Sequence, residues 1–413
     1  MGKISFIKWY EGILGAIVFL MIVAPRLIGV GVVLLLSVWV VGLVNKKMVF
    51  KFNALNLFFL LLYISYLVGT IYTNNSDVAF KYLEYKLTFL LFPLVFFFKP
   101  KELLSLRIPA TSLISGVLVV SFLGLINCIP LYFEEKDFNF LLSTNFSYIH
   151  HPTYLSVYAA FGSFLLIIGR KRKWLYYSTL NVVILFILLS LVQVLCFSLA
   201  GFLFLLVLLS ILAMTWVKNS FSKSIFYGFI IVGMISLFGV VKYTPGVNTQ
   251  FQYSIDYLVE YWENPQEFFR SKQTYVGGSE TRLIMWAASA QVFAEHPLGV
   301  GTGNVDDYLT DKLNEIGQPH MAKKKLNPHN QFLQTGVEVG IVGLTLLLLI
   351  VFYGIYYSIK TKNWLLLFLI ISLAFNCLFE SMLQRQSGIV FYTFWICFLA
   401  ISDFYVPLKV IEE

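Results

Sequence analysis

The sequence predicts an all-α polytopic membrane protein with about twelve transmembrane helices. Of its 413 residues, 58% are hydrophobic and only 13% are charged, and the mean hydropathy is +0.78. A water-soluble chain could not shield so much apolar surface from solvent. Apolar runs of nearly spanning length recur along the chain, and such runs favour helices over barrel strands.

The expected spans follow one another with short connectors, except for a single long hydrophilic segment at 243–328. Pro25 and Arg26 separate the first two runs, whereas the seventh and eighth have almost no polar break between them. The spans lie at 11–24, 27–44, 52–71, 85–98, 109–129, 152–169, 176–192, 195–216, 225–242, 331–358, 363–380 and 387–405.

Positive charge is concentrated in alternate connectors. The positive-inside rule therefore predicts that these connectors and both termini are cytoplasmic, and that the segment 243–328 faces the opposite side. This pattern also accounts for the net charge of +8 without a nucleic-acid partner. The basic connectors contain Lys46, Lys47, Lys51, Lys99, Lys101, Arg107, Arg170–Lys173, Lys218, Lys223, Lys360 and Lys362.

We expect three regions. Residues 1–242 form an N-terminal bundle of about nine helices, 243–330 a loop subdomain, and 331–413 about three C-terminal helices. The loop carries aromatic residues at amphipathic spacing, which is typical of an ordered subdomain rather than a linker. Within it, 280–295 predicts a helix, and a glycine-rich turn follows at 296–304.

His329 stands where this loop runs into the next apolar span. Asn327, Pro328 and His329 resemble a helix start, with Asn327 as the N-cap and His329 in the first turn. The position suits either a general base at the membrane surface or an interfacial histidine satisfied by a loop carbonyl. The glycines that follow at near-helical spacing predict close helix packing; they are Gly336, Gly340 and Gly343.

Two cations are candidates for holding an anionic substrate. Arg282 lies four residues before Trp286, so it either packs on that ring or clamps a phosphate with its planar donors. Lys86 lies inside the span expected at 85–98. A lysine there needs an anionic partner, unless its side chain extends to the interface.

Further polar residues lie at the outward ends of other spans. Glu380 and Arg385 bracket the last hairpin turn, where they could pair structurally or line a cavity; the pair is favoured. His150 and His151 open another span, and for His151 we expect capping or substrate contact. We expect no metal site, since the two histidines lack a third ligand, and the cysteines are scattered.

The motif His329-Asn330-x9-Gly340-x-x-Gly343 resembles the signature of the O-antigen ligase and polymerase superfamily. The stretches Ser279–Trp286 and Glu295–Asn304 look like that family's lead-in to the motif. Two further stretches, 150–152 and 380–388, also look like family features. The resemblance is strongest over about 275–390 and extends to the earlier spans mainly in topology.

Members of this superfamily transfer a glycan from undecaprenyl diphosphate to an acceptor at the periplasmic face of the bacterial inner membrane. The resemblance implies a GT-C-type helical fold, a large periplasmic loop and no metal or other cofactor. It implies that the acceptor is a lipid A–core sugar for a ligase, or a second lipid-linked glycan for a polymerase. It identifies His329 as catalytic and Arg282 as a catalytic, diphosphate-binding residue. Further substrate-binding candidates are Lys86, Asn330, His151, Arg385 and Glu380.

One departure concerns the diphosphate. Many relatives carry a Ser-Arg-Gly element in a middle span, whereas this chain has Ser198, Leu199, Ala200 and Gly201. Lys86 is therefore expected to supply part of the missing charge. A lipid-glycan transporter remains a rival of a different class, but it should place more charged residues deep in the bundle.

Overall fold

The computed structural model describes residues 5–198, 245–271 and 278–401, and these are predominantly helical. The helices are α1 (Phe6–Val23), α2 (Ile28–Val44), α3 (Ala54–Gly69), α4 (Ser76–Lys86), α5 (Thr88–Phe96), α6 (Arg107–Glu135), α7 (Ser143–Phe146), α8 (Pro152–Lys171), α9 (Thr179–Leu195), α10 (Pro245–Glu263), α11 (Pro265–Ser271), α12 (Gly278–Glu295), α13 (Val305–Glu315), α14 (Pro319–Ala322), α15 (Gln331–Lys360), α16 (Trp364–Phe379) and α17 (Gln386–Ile401). Two short strands, β1 (Met48–Phe50) and β2 (Phe98–Pro100), pair antiparallel.

The apolar helices fit a polytopic membrane protein. Among the described residues, five helical segments are long and apolar enough to cross a bilayer: α1, α2 with its preceding 3₁₀ turn, α6, α8 and α15. Four shorter apolar helices, α3, α9, α16 and α17, match further expected spans. The runs expected at 195–216 and 225–242 lie almost wholly within 199–244, outside the described residues.

The span expected at 85–98 is divided between two helices in the structure. The chain forms α4 up to Lys86 and passes through Leu87, which keeps helical φ and ψ, into α5, which has nine residues and contains Pro93. A helix of nine residues is only about 14 Å long, which is too short to cross a hydrocarbon core of about 30 Å. Several side chains of α5 are buried against other helices, among them Phe89, Phe92 and Phe96.

The two ends of the bundle differ in what they carry. At one end, residues 278–330 contact the end of α3 and the first turns of α15, where the Thr302 amide donates to the Gly69 carbonyl and the Val300 amide donates to the Val337 carbonyl. Residues 245–271 pack on α12; we call this end of the bundle the loop end. The loop has a hydrophobic core of its own, separate from that of the bundle, which includes Phe268, Ile284, Val292, Leu309 and Met321. The region boundaries at 242 and 330 stay a prediction.

Helix α15 is interrupted near its start. Val339 and Gly340 leave helical geometry, and Gly340 has φ +69°. The glycine-rich turn fills the interruption, because the Gly301 amide donates to the Glu338 carbonyl and the Ile341 amide donates to the Pro297 carbonyl. The expectation that Gly340 serves regular helix packing is therefore wrong. Its missing side chain instead admits the backbone of Leu298 and Gly299.

Candidate active site

His329 precedes α15 rather than lying in its first turn, contrary to the sequence expectation. The helix begins at Gln331, and the side chain of Asn330 caps it by accepting from the Leu333 amide at 3.1 Å. Asn327 instead accepts from the His329 amide at 2.9 Å, in a local turn. This turn places His329 at φ +47°, a left-handed conformation that is uncommon for a non-glycine residue. Asn327 and Asn330 are both residues that favour an N-cap position, and the sequence alone does not show which of the two begins the helix.

The imidazole of His329 faces Glu380, with Nδ1 3.4 Å from Oε2. Glu380 directly follows α16, so the two residues meet across the start of α15 and the end of α16. The structural pair expected between Glu380 and Arg385 is wrong. Among the described residues, the ion-pair partner of Glu380 within 4.0 Å is His329, while Arg385 is exposed.

A cavity of about 260 Å³ lies beside this pair. Glu380 is common to both, which places the His329 imidazole next to the cavity. The lining combines cationic and polar side chains with phenyl rings, a combination that suits a sugar attached to an anionic group. The lining residues include His151, Thr153, Arg282, Phe375, Asn376, Phe379 and Glu380.

The positive groups around Glu380 favour its charged form. Burial by itself would raise the pKa of this carboxyl. The hydrogen bond from His329 and the charges of His329, His151 and Arg282 outweigh burial and lower the pKa from its ordinary value. Glu380 is therefore a carboxylate at neutral pH, available to hold the Nδ1–H of His329.

The two adjacent histidines that precede α8 have different surroundings. His150 is buried, with Nε2 2.7 Å from the Ile22 carbonyl and Nδ1 2.9 Å from Ser387 Oγ. The carbonyl can only accept, so Nε2 carries the proton and Nδ1 accepts from Ser387. His151 makes no side-chain cap of α8 and lines the cavity instead. Burial lowers the pKa of His151 and favours its neutral form.

Lys86 lies outside this cavity lining, contrary to the expected role beside Arg282. Its side chain is fully buried, and its ammonium lies 3.9 Å from Glu338 Oε1 and donates to Gln384 Oε1 at 2.7 Å. Sequence reasoning missed Glu338. The signal was present, because an acidic residue inside the apolar run 331–358 needs a buried partner just as Lys86 does.

Asn330 and Arg385 are also placed away from the cavity lining. The amide of Asn330 is used within the protein, since Oδ1 caps α15 and Nδ2 donates to the Leu378 carbonyl at 3.2 Å. Arg385 acts at longer range, because its charge contributes to lowering the pKa of His151. Among the described residues, His, Cys, Asp and Glu side chains form no group of three or more that could hold a metal ion.

A family comparison agrees with the motifs around this site. Residues 184–348 match the model of a family described as O-antigen ligase. The match covers less than half of the chain. The match confirms the resemblance drawn from the histidine motif, and it contains Arg282, His329 and Glu338. His151 and Glu380 lie outside it, so their assignment to the site rests on the packing of the other helices around the matched region.

A similar protein is known from Haemophilus influenzae, where it is described as uncharacterized. It is 28% identical over 185 residues, a match that covers 41% of this chain and 43% of that protein. The similarity therefore spans less than half of either sequence.

Proposed function

We propose that this chain is an O-antigen ligase-like glycosyltransferase, which moves a glycan from undecaprenyl diphosphate to a sugar hydroxyl of lipid A–core. The observation that carries the proposal is the His329–Glu380 pair beside the cavity that Arg282 lines. A histidine held by a carboxylate is a general base with a fixed orientation. A guanidinium nearby suits the diphosphate of the leaving group.

The reaction is a single displacement at the anomeric carbon. Glu380 accepts from Nδ1–H of His329, which leaves the lone pair of Nε2 free to take the proton of the acceptor hydroxyl. The acceptor oxygen bonds to the anomeric carbon as the bond from that carbon to the diphosphate oxygen breaks. Arg282 stabilises the negative charge that develops on the departing undecaprenyl diphosphate. Such a displacement inverts the configuration at the anomeric carbon.

We place the loop end on the periplasmic side of the bacterial inner membrane and both termini in the cytoplasm. The charge distribution supports this orientation, because the basic residues of the connectors lie at the opposite end of the bundle. They include Lys47 and Lys101 beside the two strands, Lys171 at the end of α8, and Lys360 at the end of α15. Positive charge of this kind is retained on the cytoplasmic side.

The decisive experiment compares the native chain with His329→Ala in purified form, supplied with undecaprenyl-diphosphate-linked glycan and an acceptor. We expect transfer to fall by about 10²–10⁴-fold, the usual contribution of a positioned general base. His296→Ala is the matched control, because His296 lies in the loop and packs on Tyr308 instead. Full activity of His329→Ala would reject the proposed mechanism.

The choice of acceptor separates a ligase from a polymerase. Given both lipid A–core and a second lipid-linked glycan, a ligase labels lipid A–core. Elongation of the lipid-linked glycan alone would instead assign the chain to the polymerase branch of the superfamily.

A further inference from the structure

The turn that carries Glu380 is attached to α15 at several points. Besides the His329–Glu380 contact, Asn330 donates to the Leu378 carbonyl at 3.2 Å. Gln331 accepts from the Leu383 amide at 2.6 Å. Deepest of all, Gln384 Nε2 donates to Glu338 Oε2 at 2.8 Å.

Gln384 lies between two buried charged groups, the Lys86 ammonium and the Glu338 carboxylate. Lys86 donates to Gln384 Oε1, while Glu338 accepts from Gln384 Nε2. The carboxamide therefore has its oxygen on the cation and its nitrogen on the anion. A flipped amide would set like partial charges against both groups, so one orientation is strongly preferred. Ring faces of Tyr66 and Tyr82, with centroids 4.5 and 4.9 Å from the ammonium, complete the surroundings of Lys86.

Gln384 lies four residues after Glu380 in a tight turn. Within that turn the Met382 amide donates to the Glu380 carbonyl at 2.9 Å, and the Gln384 amide donates to the Ser381 carbonyl at 3.1 Å. A displacement of Gln384 therefore changes the position of the Glu380 backbone.

We infer that Lys86 and Glu338 are positioning residues, which act through Gln384 to hold Glu380 against His329. The geometric part of this inference is independent of the reaction, whereas its effect on catalysis rests on the proposed function. Lys86 does not serve as a diphosphate ligand. To reach a diphosphate its ammonium would have to move away from Gln384 and Glu338, and the buried Glu338 carboxylate would lose its cation.

The test uses the full chain in detergent or nanodiscs. Gln384→Met removes the amide, keeps the approximate side-chain shape and leaves the Lys86–Glu338 pair in place. A second variant, Lys86→Met with Glu338→Leu, removes both charges together and so avoids leaving one of them buried alone. Gln334→Met is the matched control, because Gln334 Nε2 also donates to Glu338 Oε2, at 3.5 Å, while among the described residues its side chain makes no hydrogen bond with the turn.

The first measurement needs no enzymatic activity. Diethylpyrocarbonate carbethoxylates neutral imidazoles, and mass spectrometry gives the rate for each histidine. We expect His329 to react severalfold faster in Gln384→Met and in the double variant, because Glu380 no longer restrains its ring. Its rate should be unchanged in Gln334→Met, with His296 as the internal reference. An unchanged His329 rate in Gln384→Met would overturn the inference, whatever reaction the chain catalyses.

The second measurement separates positioning from substrate binding. We expect kcat for glycan transfer to fall about tenfold in Gln384→Met, a fraction of the ~10²–10⁴ that a positioned base contributes. The KM for the donor should hardly change. A raised donor KM with an unchanged kcat in the double variant would instead make Lys86 a diphosphate ligand and overturn the inference. If His329→Ala keeps full activity while Gln384→Met still accelerates modification, the positioning role stands and the proposed function fails.

Discussion

The Nδ1 of His329 lies 3.4 Å from Oε2 of Glu380, although 51 positions separate the two residues. His329 belongs to a left-handed turn before α15, and Glu380 is the residue that directly follows α16. Their side chains are partly buried, with 29% and 16% exposed, which limits solvent screening of the contact. The pair thus combines a titratable ring at the edge of a cavity with a carboxylate that fixes its orientation.

Replacing Glu380 should weaken the base without removing it. We expect Glu380→Gln to lower kcat by roughly 10- to 100-fold, part of the ~10²–10⁴ supplied by a positioned base. The measurement is steady-state glycan transfer at pH 7. An unchanged kcat would show that the contact with His329 has no catalytic role.

The same carboxyl predicts a pH dependence of stability. The pKa of Glu380 is lowered in the folded chain, so its stabilising contribution is present above the unfolded pKa of about 4.3 and is lost as pH falls through the folded pKa. The stability difference between native chain and Glu380→Gln should therefore be largest near neutral pH and shrink below about pH 4. Thermal unfolding in detergent across this range tests the sign, and a difference that grows on acidification would contradict it.

Arg282 should require its planar guanidinium. We expect Arg282→Lys to raise the donor KM about tenfold or more, because an ammonium cannot make the two parallel hydrogen bonds of a guanidinium to a diphosphate. Arg270→Lys, at an exposed position of α11, is the control and should behave as the native chain. Equal kinetics for the two lysine variants would remove Arg282 from the site.

Substitutions of the two adjacent histidines should have different effects, on stability for His150 and on activity for His151. His150→Ala leaves the Ile22 carbonyl, in the last turn of α1, without its partner, and should cost about 1–3 kcal/mol of stability. His151→Ala should leave the unfolding temperature nearly unchanged and reduce transfer, since His151 lines the cavity. Thermal unfolding and transfer assays on both variants check the contrast, and reversed effects would refute it.

Gly340 should tolerate no side chain. A Cβ there would meet the carbonyl group of Leu298 and the amide of Gly299, at a residue whose φ is +69°. We expect Gly340→Ala to destabilise the chain by at least ~1–3 kcal/mol, from backbone strain alone. Gly12→Ala is the control, because a Cβ at Gly12 of α1 meets nothing within 4 Å. Similar unfolding temperatures for both variants would contradict this account of the α15 interruption.

Local patterns in the sequence predicted many of the helices and one of the turns. Apolar run length identified most of the spanning helices, and the segment 280–295 identified α12. The alternation of glycine with other residues identified the turn over α15, because Gly299, Gly301 and Gly303 all take positive φ. These features depend on residues close together in the chain, so their chemistry can be read without knowledge of packing.

The sequence by itself determined a membrane-helix bundle with His329 and Arg282 near one end. Only the tertiary structure decided the partners, since Glu380 joins His329 rather than Arg385, and Lys86 joins Glu338 and Gln384. It also decided that Gly340 interrupts α15, because glycines at helical spacing fit both close packing and a break. The physical reason is that buried charges pair according to how distant helices are placed, and Lys86 and Gln384 meet across 298 positions.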